Sequence, residues 1–118
     1  MTELRYEIAS PADAAVGATL RTFVREAGRR LDLDESDIED LTLITTELLA
    51  NAVETGGADV RLVLTADDAG WRLRVQGAGE LHADPEATVD RADILRGIAD
   101  LAWHDGILEV RPRVSVDR

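Results

Sequence analysis

Cysteine is absent from the 118 residues of this chain. Disulfides and thiol nucleophiles are thereby excluded, and nothing in the sequence calls for an oxidising compartment. Lysine is absent as well: all thirteen basic residues are arginine, which reads as a compositional bias rather than a functional choice. No apolar run reaches membrane-spanning length, and Met1-Thr2-Glu3-Leu4-Arg5-Tyr6 holds no apolar stretch behind basic residues. A cytoplasmic location is therefore expected, with no membrane partner. Positive charge is scarce, since twenty-four Asp and Glu against thirteen Arg leave a formal charge of −11. Such a surface repels phosphate backbones, so nucleic acid is not expected as a partner. Repeats and low-complexity tracts are also missing.

What is present suits a folded chain. Hydrophobic residues make up 45% and charged residues 31% of the sequence, enough for a packed interior beneath a solvated surface. The length fits one domain, residues 1–118, and is too short for two ordinary cores.

Leu4, Tyr6 and Ile8 alternate with polar residues as in a half-buried strand, and Ser10-Pro11 then reads as a helix start. From Pro11 to about Arg30, Ala15, Ala18, Leu20, Phe23, Val24 and Ala27 recur at helical spacing. Arg21, Arg25, Arg29 and Arg30 weight its later turns, where cations suit the helix dipole. A second helix is expected from Glu35 to Gly56. Asp34 or Ser36 can cap it, acidic residues fill its first turns, and Gly56-Gly57 stop it. A calcium loop starting at Asp32 is disfavoured, because its sixth position is Asp37 instead of glycine and its twelfth is Leu43 instead of glutamate. Leu41, Ile44, Leu48, Ala52 and Val53 form the apolar stripe of this helix.

Val60, Leu62 and Leu64, then Asp67-Asp68-Ala69-Gly70, then Trp71, Leu73 and Val75 read as a β-hairpin. Gly77 to Asp90 is aperiodic and reads as a loop. Ala92 to Ala102 carries Ile94, Leu95, Ile98 and Leu101 at helical spacing. Ile107, Leu108, Val110, Val114 and Val116 suggest one or two closing strands broken near Pro112. The order β-α-α-β-β-loop-α-β-β predicts an α+β fold: a two-layer sandwich with a mostly antiparallel sheet covered on one face by helices.

Glu47 and Asn51 stand four residues apart on the second helix with Thr55 one turn further, so three polar tips share a line. Such a line fronts either a ligand pocket or solvent. His82 and His104 are isolated and read as surface residues, without further ligands at a metal-binding spacing. Serines 10, 36 and 115 lack a histidine pattern for nucleophilic catalysis. Trp71 and Trp103 are both expected in the core.

Read in order, Glu47-Leu48-Leu49-Ala50-Asn51-Ala52-Val53, a hairpin, the Gly77-Ala78-Gly79 turn and a helix start at Arg96-Gly97-Ile98 resemble the GHKL superfamily of ATP-binding domains. Within it the chain looks most like the anti-sigma regulatory factors, small bacterial serine kinases and relatives that sequester a sigma factor and phosphorylate its antagonist. The resemblance covers nearly the whole chain. It implies a GHKL ATPase-like sandwich with an ATP and magnesium site. Glu47 matches the family's general base and Asn51 its magnesium ligand, while Thr55, Gly77, Gly79, Arg96 and Gly97 stand at cofactor-binding positions. It also implies a sigma factor or an anti-sigma-factor antagonist as partner, and a homodimer.

Three departures bear on activity. The kinases place His-Gly where this chain has Thr55-Gly56. The family's Asp-x-Gly-x-Gly motif, whose carboxylate reads the adenine amino group, here meets Val75 in one register and Gly77 in the other. Loss of such a group costs a site its discrimination. The lid motif Gly-x-Gly-Leu is replaced by Leu95-Arg96-Gly97-Ile98, and acidic Glu80, Asp84, Glu86 and Asp90 precede it. The expected function is therefore transcriptional control through protein binding, with ATP binding weak or lost; the alternative is an active ATP- and magnesium-dependent serine kinase.

Overall fold

Alternation in the first strand and its pairing with a distant hairpin set the frame. In the computed structural model, which describes residues 4–57, 59–81 and 91–113, β1 (Leu4–Pro11) lies antiparallel to β2 (Asp59–Asp67), which pairs in turn with β3 (Gly70–Gln76). Two helices, α1 (Gly17–Arg30) and α2 (Glu35–Glu54), separate β1 from β2. After β3 come α3 (Arg91–Ile98), β4 (Ala99–His104) and β5 (Ile107–Pro112). The sheet order is β1-β2-β3-β5-β4, with every neighbouring pair antiparallel. The fold is α+β.

Register explains the core. Tyr6, Leu64, Leu73, Val110 and Leu101 stand side by side across the five strands, and Ile8, Leu62, Val75 and Leu108 form the next such row. Because strand side chains alternate between faces, both rows point the same way. Against them pack Leu20, Val24 and Ala27 of α1, Leu41, Ile44, Leu48 and Ala52 of α2, and Leu95 of α3. Trp71 is buried with them, as its phase on the strand predicted. Val53, assigned by its spacing to the same stripe of α2, is instead 39% exposed, because it falls past the arc that faces the sheet.

Three boundaries differ from the sequence reading. Pro11 is the last residue of β1, opposite Asp59, and not the first residue of a helix. On an edge strand its missing N–H costs the ladder nothing. The turn is capped by Asp13 instead, whose carboxylate accepts the Ala15 amide at 2.9 Å, and a 3-10 turn at Ala14–Val16 leads into α1. The helix expected to run to Ala102 stops at Ile98, and Ala99–His104 is a strand paired with β5. Asp105-Gly106, both at positive φ, close that hairpin. Trp103, expected in the core, is 43% exposed because β4 is the outermost strand. Val114 and Val116 lie outside the described residues.

The ends of α2 follow the sequence closely. Asp34 caps its start by accepting the Asp37 amide at 2.9 Å. At its other end the Gly57 amide donates to Ala52 and the Gly56 amide to Val53, with Gly56 at φ +74°, closing the helix in a Schellman motif.

The sheet face away from the helices is a lattice of ion pairs. Glu7 bridges Arg5 and Arg61, and Glu109 bridges Arg74 at 3.4 Å and Arg111 at 2.8 Å. Burial pushes the Glu109 carboxyl upward, but Arg111 and Arg74 together outweigh it and hold the group below its ordinary value. Stability from this carboxylate is therefore complete above about 4.5, the ordinary glutamate value, and is lost as the pH falls through the lowered one. Acid titration of thermal melting should show a shallower loss for Glu109→Gln than for the unaltered chain; equal slopes below pH 4.5 would contradict this. In the core, Leu48→Ala should cost about 2–5 kcal/mol in urea denaturation, as a cavity between helix and sheet.

Candidate functional site

The buried stripe of α2 fixes the rotation of the helix, and Glu47, Asn51 and Thr55 follow from it. Leu48 and Ala52 point into the sheet, so their neighbours Glu47 and Asn51 lie at the border of the covered arc. Glu47 is half-buried, and Asn51 is 6% exposed.

Asn51 is fully engaged. Its amide nitrogen donates to the carbonyl oxygens of Ala78 at 2.8 Å and Glu80 at 3.1 Å, tying α2 to the chain that leaves β3. Its amide oxygen accepts from Arg91 at 3.4 Å. Thr55 turns its hydroxyl back along the helix, donating to the Asn51 carbonyl at 2.9 Å.

The glycines after β3 have steric reasons to be glycine. Both have positive φ, +87° at Gly77 and +79° at Gly79. A Cβ on Gly77 would stand 2.0 Å from the Asp59 carbonyl oxygen, and one on Gly79 2.2 Å from the Thr55 hydroxyl. These residues let the chain close against α2 and the start of β2. Of the two positions at which the sequence reading looks for an adenine-reading carboxylate, Val75 is wholly buried in the core and Gly77 has no side chain. Neither register supplies a carboxylate.

Arg91 is the residue that the sequence reading missed. As the first residue of α3 it reaches back to α2, where Nε donates to Glu47 at 3.2 Å and its two terminal nitrogens donate to Glu54 at 2.8 and 3.0 Å. The fork on Glu54 is bidentate, the geometry in which a guanidinium binds a carboxylate best. Glu54 holds the Arg91 proton more firmly than usual, and Arg91 in turn lowers the Glu54 carboxyl below its ordinary value. Glu54 had a signal, since it stands three and seven residues beyond Asn51 and Glu47 on one helix face. Arg91, forty residues beyond Asn51, had none.

Arg96 and Gly97 are not brought to a helix start. They occupy the last turn of α3, where backbone amides are bonded within the helix, so the expected cradle of free amides is not formed there. Arg96 is exposed; around Gly97 a Cβ would meet nothing within 4 Å. The Gly97 carbonyl accepts from Arg113 at 3.0 Å. His104 is exposed, whereas His82, Asp84, Glu86 and Asp90 lie outside the described residues.

Residues 10–101 match the family model of the histidine kinase-like ATPase domain. The chain belongs to that family. No curated protein matches the chain. Domains of the histidine kinase-like ATPase family, which is part of the GHKL superfamily, generally bind ATP with magnesium. In this member the described residues do not fit that pair as arranged. The Asn51 oxygen and one oxygen of the Glu47 carboxylate accept from Arg91, and neither Val75 nor Gly77 at the end of β3 offers a carboxylate. Among the described residues no group of three or more acidic, histidine or cysteine side chains converges as a metal site.

The glycines of this family member separate by substitution. Gly77→Ala should destabilise the fold by more than about 2 kcal/mol, through a strained backbone and a carbonyl clash. Gly97→Ala should instead be neutral or stabilising by up to about 1 kcal/mol, as a helix residue in open space. Denaturant midpoints of the two variants check this, and similar losses in both would refute the steric account.

Proposed function

We propose that this histidine kinase-like ATPase domain is an anti-sigma regulatory factor-like protein that controls transcription by binding other proteins, with ATP binding weak or lost. The observation that carries the reading is the occupied site: Oε1 of Glu47 and Oδ1 of Asn51 both accept from the chain's own Arg91. The missing carboxylate at Val75 supports it, because a site that cannot pair the polar edge of adenine has little to select it with. The proposed partner is a sigma factor or an anti-sigma-factor antagonist, bound by a monomer or a homodimer. A formal charge of −11 suits a partner with basic patches and speeds encounter at low salt.

The rival reading is an active serine kinase with Glu47 as base and Asn51 as magnesium ligand, and the spacing of those two residues on α2 favours it. Titration with Mg-ATP and Mg-ADP by calorimetry separates the two. The binding-only reading expects no affinity tighter than roughly millimolar, or about −4 kcal/mol. Tighter binding overturns it in favour of the kinase. Association with candidate sigma-factor domains should weaken as salt rises, and binding that is indifferent to salt would remove the electrostatic argument.

A further inference from the structure

Glu47, Asn51 and Glu54 present two carboxylates and an amide oxygen from one face of α2. Hard oxygen donors of this kind are what a magnesium or manganese ion takes. The cation found among them belongs to the chain. Arg91 contacts all three side chains, at 3.2 Å to Glu47, 3.4 Å to Asn51 and 2.8 and 3.0 Å to Glu54. Its own side chain is only 22% exposed, although Glu54 on the outer side is 64% exposed. The inner contacts are thus shielded from water and the outer fork anchors them. Arg91 heads a helix whose next residues, Ala92 and Leu95, are buried, so the guanidinium is held beside the cluster by the packing of α3.

We propose that Arg91 is a tethered counter-ion, which occupies the oxygen cluster of Glu47, Asn51 and Glu54 and thereby excludes divalent cations from it. A tethered group competes at an effective concentration on the order of millimolar, without the translational cost that a free ion meets. The cluster becomes a cation site when Arg91 is withdrawn. The inference stands on this geometry alone, and does not depend on which protein the domain binds or on whether it regulates transcription.

The test measures Mn2+ binding to the full chain by calorimetry and by loss of the free-ion paramagnetic resonance signal. Arg91→Gln should bind Mn2+ at least about tenfold more tightly than the unaltered protein, the factor expected when a site is open a tenth of the time or less. Arg91→Leu, which removes the charge and leaves all three oxygen donors in place, should tighten Mn2+ binding likewise, and it decides the matter if Arg91→Gln does not fold. Adding Asn51→Ala to either variant should abolish the gain. Equal affinities in the variants and the unaltered protein overturn the proposal. So does metal-free binding of inorganic triphosphate that Arg91→Gln abolishes, since Arg91 would then be a phosphate ligand. The binding of a partner protein is a separate measurement, and its failure leaves this result unchanged.

Discussion

Packing of α2 against the sheet determines the rotation of that helix, and the site inherits its geometry from the rotation. Leu41, Ile44, Leu48 and Ala52 lie in the core, and burying such an apolar row is the main favourable contribution a helix of this kind makes. Once those four are placed, Glu47, Asn51 and Glu54 have no freedom of direction. Asn51 then does two jobs. Its nitrogen ties the exit of β3 to the helix through Ala78 and Glu80, while its oxygen faces Arg91. A buried amide with every group satisfied specifies one arrangement, because leaving any of them unpaired would cost the full desolvation penalty. The same side chain is therefore a structural strut and the inner wall of the site.

Elements with one strong local signal were legible in the sequence. The second helix has a cap candidate in Asp34 or Ser36, a glycine stop at Gly56-Gly57 and five residues in its apolar stripe; Asp34 is the cap, the stop holds, and all of the stripe except Val53 is buried. The hairpin of β2 and β3 was equally clear, down to the burial of Trp71. Errors arose where two readings fitted the same residues. Ile98 and Leu101 fit a helix, but Ala99, Leu101 and Trp103 also alternate as a strand, and the Asp105-Gly106 turn that decides for the strand was the overlooked signal. Pro11 after Ser10 resembles a helix start only while the partner strand is unknown; pairing with Asp59 is a long-range fact. Arg96-Gly97 was placed at a helix start by analogy of motif, and the helix in fact begins five residues before Arg96, at Arg91.

Charge is distributed unevenly between the two layers. On the open face of the sheet Arg5, Arg61, Arg72, Arg74 and Arg111 are set among Glu7, Asp67, Asp100 and Glu109, a roughly balanced ribbon. The excess negative charge must then reside elsewhere, and the start of α2, with Asp34, Glu35, Asp37, Glu39 and Asp40, holds a concentrated share. Exposed ion pairs contribute little stability individually. Their arrangement matters more for what approaches: under the proposed binding function, the acidic start of α2 is where a basic partner is drawn, with Arg25 and Arg29 of α1 bordering it.

The site also shows why a retained motif is weak evidence for a retained activity. Glu47 and Asn51 keep the spacing that the family uses, yet spacing on a helix specifies only that two side chains share a face. What those side chains bind depends on the third group that arrives between them. Here that group comes from α3 and carries its own positive charge, so half of the negative charge of the two carboxylates is balanced without an external ion. The turn after β3 follows the same logic. Gly77 and Gly79 were expected at cofactor-binding positions, but Asp59 and Thr55 already require them to lack a side chain. Packing alone accounts for the glycines, whereas the contacts of Arg91 are to the charged and polar oxygens of Glu47, Asn51 and Glu54. Its charge is the part of the site that the fold by itself does not explain.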